Sequence, residues 1–204
     1  MCGMEKGDGD FIDILENDDP LCHRCRSNLN RVKFRMKFHG CKLYASYVYD
    51  DAFAKILVQY KECFDEALKT VFLYPFRWWF MIRFFGYTVC YLPSSKEKIA
   101  KRGFHHLEKM FSSIPLQQED LFEKVNDFDQ KNRSVEERMK MVDNIALKKH
   151  CDVPRKVLLV DDTITTGASL LGALHCLQDY DCKIVIYVVS VNHLWLKKPK
   201  IFGK

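Results

Sequence analysis

The feature that most constrains this chain is the run Val157, Leu158, Leu159, Val160, followed at once by Asp161, Asp162, Thr163, Ile164, Thr165, Thr166, Gly167, Ala168 and Ser169. Four apolar residues without polar alternation predict a strand buried on both faces, the habit of a parallel sheet covered by helices. Such sheets bind ligands at the carboxyl ends of their strands. Here that end carries two carboxylates and a small-residue loop, after which Leu170, Leu171, Leu174 and Leu177 recur at helical spacing. The loop therefore sits at a helix N-terminus. Backbone amides of Thr165, Thr166, Gly167, Ala168 and Ser169, helped by the hydroxyls and the helix dipole, can cradle a phosphate dianion there. Gly167 lets the backbone come close. Two acids beside a phosphate repel it, so Asp161 and Asp162 are expected to face another part of the ligand, and the vicinal hydroxyls of a ribose fit. The run reads as a site for a phosphorylated sugar. The competing phosphate signatures, Gly-Lys-Ser/Thr and G-x-G-x-x-G, are absent.

At 204 residues the chain suits one domain with a small N-terminal appendage. A formal net charge of +5 is compatible with polyphosphate or nucleic-acid partners and decides nothing alone. Nine cysteines, an odd number scattered through expected strands and helices, read as reduced thiols rather than a disulfide framework, which favours the cytoplasm. The acidic, Gly-interrupted start lacks the basic and apolar regions of a signal peptide. The aromatic run from Val71 to Phe85 is broken by Pro75, Arg77 and Arg83, too short between charges to span a bilayer, so no membrane is expected.

Along the chain, residues 1–40 read as a polar arm and a small basic module with Cys22-His-Arg-Cys25, and residues 41–204 as the main domain. A strand is expected from Lys42 to Tyr49. The apolar positions from Phe53 to Val71 then predict one long amphipathic helix. Tyr87 to Leu92 reads as a buried strand, Lys96 to Met110 as a helix, and Leu121 to Val125 as a weak strand. Ser134-Val-Glu-Glu137 is a capping box for a helix towards Ile145. Val157 to Val160 and Ile184 to Val191 supply two more buried strands, joined by a crossover helix from Ala168 to Leu177. The expected class is α/β, a mainly parallel sheet flanked by helices. The cluster Trp78, Trp79, Phe80, Phe84 and Phe85 reads as core or interface packing. Trp195 would either cap a nucleobase or close the sheet edge.

A second candidate site lies where another strand ends, at Pro93, Ser94 and Ser95, followed by Lys96, Lys98, Lys101 and Arg102. A tight loop with cations over it can hold a pyrophosphate. The same lysines could equally form a solvated helix face.

Cys22-x-x-Cys25, Tyr49-Asp50-Asp51 with Tyr60-Lys61, Leu92-Pro93, Arg102-Gly103-Phe104, Gln130 with Glu137-Arg138, and Val157 to Ser169 together resemble the ComF family of competence-associated phosphoribosyltransferase-like proteins. The likeness covers nearly the whole chain. It implies a type I phosphoribosyltransferase fold and transfer or binding of a 5-phosphoribosyl group from 5-phosphoribosyl 1-pyrophosphate (PRPP) carrying Mg2+. It also implies, in competent bacteria, a role in DNA uptake. Asp161 and Asp162 would then fix the ribose, while Lys96, Lys101 and Arg102 meet the departing pyrophosphate. Expected partners are a phosphoribosyl small molecule, single-stranded DNA and a second copy of the chain as a homodimer. The alternative is a non-catalytic module that senses PRPP or a nucleotide, or holds DNA. Three departures stand out. Many relatives hold zinc with two Cys-x-x-Cys pairs, whereas here the second half is His39 and Cys41. Zinc on Cys22, Cys25, His39 and Cys41 is stereochemically conceivable, but the one-residue spacing is uncommon in zinc sites. His105-His106 stands where the family commonly has Asn and Gln, and two such neighbours on a helix would point apart. Thr165 occupies the place where hypoxanthine-guanine enzymes carry an acid, which disfavours a 6-oxopurine acceptor.

Overall fold

A computed structural model describes residues 21–125 and 144–197. The expected arm at residues 1–20, the capping box from Ser134 to Glu137, and Gln130 and Arg138 lie outside the described residues. A short helix α1 (His23–Ser27) leads into the hairpin β1 (Arg31–Phe38) and β2 (Cys41–Val48). Helix α2 (Asp51–Glu62) starts where the Asp50 side chain accepts from the Phe53 amide. Two 3-10 turns, Glu66–Thr70 and Tyr74–Phe76, precede α3 (Arg77–Arg83). Next come β3 (Thr88–Tyr91), α4 (Lys96–Arg102), α5 (His106–Phe111), β4 (Gln118–Glu119) and β5 (Phe122–Lys124). The described chain closes with β6 (Ile145–Leu147), β7 (Lys156–Ile164), α6 (Ala168–Leu177), β8 (Lys183–Val191) and α7 (His193–Leu196).

One six-stranded sheet runs in the order β1-β2-β8-β7-β3-β4, and only its β1/β2 pairing is antiparallel. Val157 to Val160 are fully buried in its middle, between Ile184–Tyr187 of β8 and Thr88–Tyr91 of β3. The expected α/β class with a mainly parallel sheet is the observed one. Strand β7 outlasts its apolar run, however. Pairing with β8 continues through Asp161↔Val188 and Ile164↔Val191, so both acids lie within the strand.

Four expectations change. The helix from Phe53 to Val71 stops at Glu62, where Phe64 adopts a left-handed φ of 58° and a 3-10 turn carries Leu68 and Val71 into the core. The helix from Lys96 to Met110 is two helices, because Gly103 (φ 82°) terminates the first in the left-handed conformation common at helix ends. The weak strand expected from Leu121 to Val125 is present as β5, but it lies with β6 in a separate two-stranded sheet rather than in the main one. The boundary placed between residues 40 and 41 runs through the turn of a hairpin. Phe34 and Phe38 of β1 and Leu21 and Leu29 before it are buried in the same core as the central strands. The aromatic cluster divides: Phe80 and Phe84 are buried, while Trp78 is 64% and Phe85 83% exposed. No helix among the described residues is long and apolar enough to cross a membrane.

Candidate functional site

The carboxyl ends of β7 and β3 bring both sequence-derived candidates to one edge of the sheet. Asp161 and residues 163–170 line a small hollow of about 30 Å³. Gly167 (φ 84°) starts α6, and the Leu171 amide closes on the Gly167 carbonyl, so the amides before it head out of the helix towards that hollow. Thr166 Oγ1 accepts from the Ala168 amide at 3.3 Å. Two aromatic side chains brace the loop from behind. Trp195 of α7 is buried and donates its indole N–H to the Thr165 carbonyl at 2.6 Å, which assigns it a bracing place at the loop rather than a face open to a base. Phe38 of β1 lies so close that a Cβ on Gly167 would meet its ring at 2.9 Å.

The two acids are housed differently, because neighbouring residues of a strand point to opposite faces. Asp161 faces the loop hollow, and its Oδ1 accepts from the Asp162 amide at 2.8 Å. Burial and the adjacent Asp162 charge push its carboxyl up, to about 8. Asp162 turns the other way and is buried. Its Oδ2 accepts from Lys61 Nζ of α2 at 2.7 Å and lies 2.6 Å from His106 Nε2 of α5. Burial alone would raise this carboxyl, but the His106 hydrogen bond and the Lys61 charge outweigh it and hold Asp162 well below the ordinary carboxylate range. The expected two-acid clamp is thus one acid at the hollow and one engaged in the protein.

The Pro93-Ser94-Ser95 loop follows β3 directly. Ser95 caps α4 by accepting from the Lys98 amide, and Lys96, Lys98 and Lys101 are exposed on that helix. Arg102, expected over a pyrophosphate, is buried instead. Its Nε donates to the Lys61 carbonyl at 2.7 Å, where it caps the end of α2, and its Nη2 lies 3.6 Å from Glu62. The histidine pair also departs from expectation. His105 is the extended cap of α5 (φ −84°, ψ 112°) rather than a helical residue, so its ring stacks on that of His106 at 5.5 Å instead of pointing away. Both rings meet Ser94, His105 Nε2 accepting from its amide at 3.3 Å and His106 Nδ1 lying 3.2 Å from its hydroxyl. Sequence reading missed these roles of Lys61 and His106, since only the fold brings them to Asp162 across separations of 101 and 56 positions. The one available signal was the His-His pair beside Arg-Gly-Phe.

The four zinc candidates do not meet. Arg26 beside Cys25 contacts Tyr47, which pairs with Arg31 at the start of β1, whereas His39 and Cys41 stand at the far turn. An eight-residue strand separates the two ends, roughly 26 Å at the usual rise per residue. No cluster of three or more His, Cys, Asp or Glu side chains suited to a metal ion occurs among the described residues.

A mainly parallel sheet with an acid and a small-residue loop at the carboxyl end of its central strand is the arrangement expected of a phosphoribosyltransferase-type protein. Residues 99–203 match the phosphoribosyl transferase domain family, and the chain belongs to it. It is also similar to the competence protein ComFC of Streptococcus pneumoniae (strain ATCC BAA-255 / R6), at 26% identity over 194 residues that span 84% of this chain and 88% of that protein. The ComF likeness read from the motifs is thereby shown.

Proposed function

We propose that the chain transfers the 5-phosphoribosyl group of PRPP to a nitrogenous acceptor. The observation that carries this reading is that Asp161 and the Thr165–Ser169 loop share one hollow, with the Ser94 loop and its lysines at the neighbouring strand end. The loop amides suit the 5-phosphate, and a carboxyl oxygen of Asp161 can accept from a ribose hydroxyl. Lys96, Lys98 and Lys101 offer positive charge to the pyrophosphate. In the reaction the C1–O bond to pyrophosphate breaks, its electron pair leaving on that oxygen. The acceptor nitrogen forms the new C1–N bond through an oxocarbenium-like state and sheds its proton to solvent. Mg2+ arrives with PRPP as part of the substrate and screens the leaving charge. The protein's task is to position the two reactants.

A second reading is favoured by the sheet edge. Arg31, Lys33, Arg35 and Lys37 are exposed at every second position of β1, and beside them Lys33, Arg35, Tyr44, Phe76 and Trp79 line a groove of about 470 Å³. Cations interleaved with aromatic rings suit single-stranded DNA, and the name of the pneumococcal relative connects to competence. One experiment weighs the two readings: pyrophosphate release from PRPP and Mg2+ across a panel of bases, with salt-dependent binding of an oligonucleotide measured on the same preparation. Release with any base supports transfer. Salt-dependent DNA binding with no release from any base supports the second reading and overturns the first.

A further inference from the structure

Between the two loops runs a part-buried chain of polar contacts: Ser94 Oγ, His106, Asp162 and Lys61. Its direction follows from the chemistry of the groups. Asp162, held ionised, can only accept, so His106 Nε2 carries the hydrogen that meets it. Burial favours the neutral imidazole. A neutral ring with its hydrogen on Nε2 presents a lone pair at Nδ1, and the Ser94 hydroxyl therefore donates to it. The Ser94 amide and the Glu108 amide approach the two nitrogens of His105, and a neutral ring accepts from only one of them at a time. Ser94 is thus held through its hydroxyl by His106, whose ring is anchored to the acidic strand and stacks on that of His105.

We infer that His106 is a positioning residue that joins the Ser94 loop to the acidic end of β7, so that a ligand spanning both loops is held better than one resting on the β7 loop alone. The inference rests on the PRPP reading, in which the ribose 5-phosphate half sits at Asp161 and Thr165–Ser169 and the pyrophosphate half at Ser94. The contacts are made through protein, so His106 touches neither half. Its effect is to fix the spacing and orientation of the second loop before the ligand arrives, which is how preorganisation gains affinity.

The test compares binding of PRPP and of ribose 5-phosphate, each with Mg2+, by calorimetry. Ser94→Ala cuts the link at a half-exposed residue, and His106→Leu cuts it at the buried ring. His106→Gln supplies a terminal amide with both a donor and an acceptor. The expected result is that Ser94→Ala and His106→Leu each weaken PRPP about five- to tenfold, the scale of one hydrogen bond. Ser94→Ala leaves ribose 5-phosphate within about twofold, and His106→Gln recovers most of the PRPP affinity. A purely structural role for His106 would not separate the two ligands. If His106→Leu does not fold, His106→Asn takes its place, because Ser94→Ala also alters the pyrophosphate loop itself. PRPP bound by Ser94→Ala as tightly as by the parent, or both ligands weakened alike, overturns the inference and leaves the PRPP reading standing. A parent chain that binds neither ligand overturns that reading and the inference with it.

Discussion

At the scale of single residues, Asp161 and Asp162 look interchangeable in the sequence and should behave oppositely on substitution. Asp162→Asn leaves Lys61 and His106 without their shared buried carboxylate, and breaking such a pair costs about 3 kcal/mol. That corresponds to a fall in Tm on the order of 10 °C for a chain of this size. Asp161→Asn swaps a largely protonated carboxyl for an amide of the same shape, so it should leave Tm nearly unchanged near neutral pH while abolishing the Tm rise expected from PRPP binding to the folded state. Thermal unfolding of the two variants with and without PRPP checks both statements. The pH dependence has a defined sign. The Asp161 carboxyl is pushed up to about 8 by burial and Asp162. An acid raised in the folded state stabilises it while protonated, and that contribution is lost as pH rises towards the folded value. His105, lowered by burial to about 4, acts in the opposite sense, but only below its ordinary value of 6.5. Between pH 6.5 and 8, parent Tm should therefore decline, and Asp161→Asn should flatten the decline. The acid pair itself was legible from its place after an apolar run. The division of labour within it was not, because strand alternation applies only once β7 is known to extend through Ile164.

At the scale of elements, the Thr165–Ser169 loop depends on contacts from two remote segments. Gly167 combines a left-handed φ of 84° with the Phe38 ring of β1 at its back. Gly167→Ala therefore meets a conformational cost of roughly 1–2 kcal/mol and an overpacking cost of similar size. The expected outcome is a Tm lower by several degrees and loss of the PRPP-induced rise, read in one thermal scan series. A Gly167→Ala chain with parental Tm and an intact PRPP response would show that the loop adopts some other path. Elements with a strong single signal were readable: α6 and β8 follow their leucine spacing and apolar run closely, and β7 starts with its own. Those interrupted by one backbone choice were not. The apolar positions from Phe53 to Val71 keep helical spacing across Phe64, and the left-handed turn there changes the path without removing Leu68 and Val71 from the core. Strand β1 was hidden for another reason. Its alternation of Arg31, Lys33, Arg35 and Lys37 with Val32, Phe34, Met36 and Phe38 is a clear period of two, but its basic side and the nearby cysteines suggested a separate module.

At the scale of the whole molecule, that hairpin decides where the folding unit begins. If residues 41–204 were self-sufficient, β2 would be a sheet edge and its neighbour dispensable. Instead β1 pairs along β2 from Arg31↔Tyr47 to Phe38↔Cys41. Arg26 donates to the Val71 carbonyl at 2.6 Å, and Leu21, Leu29, Phe34 and Phe38 join the central core. Burial of four such side chains is worth several kcal/mol, at about 1.5 to 3 kcal/mol each, against a typical total stability of 5 to 15 kcal/mol. Removing them would also expose the apolar residues of β2 on an unpaired edge. It would withdraw Phe38 from behind Gly167, so the loss would reach the Thr165–Ser169 loop from the opposite end of the chain. A chain starting at Cys41 should therefore aggregate, or unfold without a single cooperative transition, and show no Tm response to PRPP. A chain starting at Leu21 should unfold cooperatively and respond to PRPP like the full chain. Circular dichroism melts of the two truncations settle the matter, and cooperative unfolding from the Cys41 start would restore the hairpin's first strand to the status of an appendage.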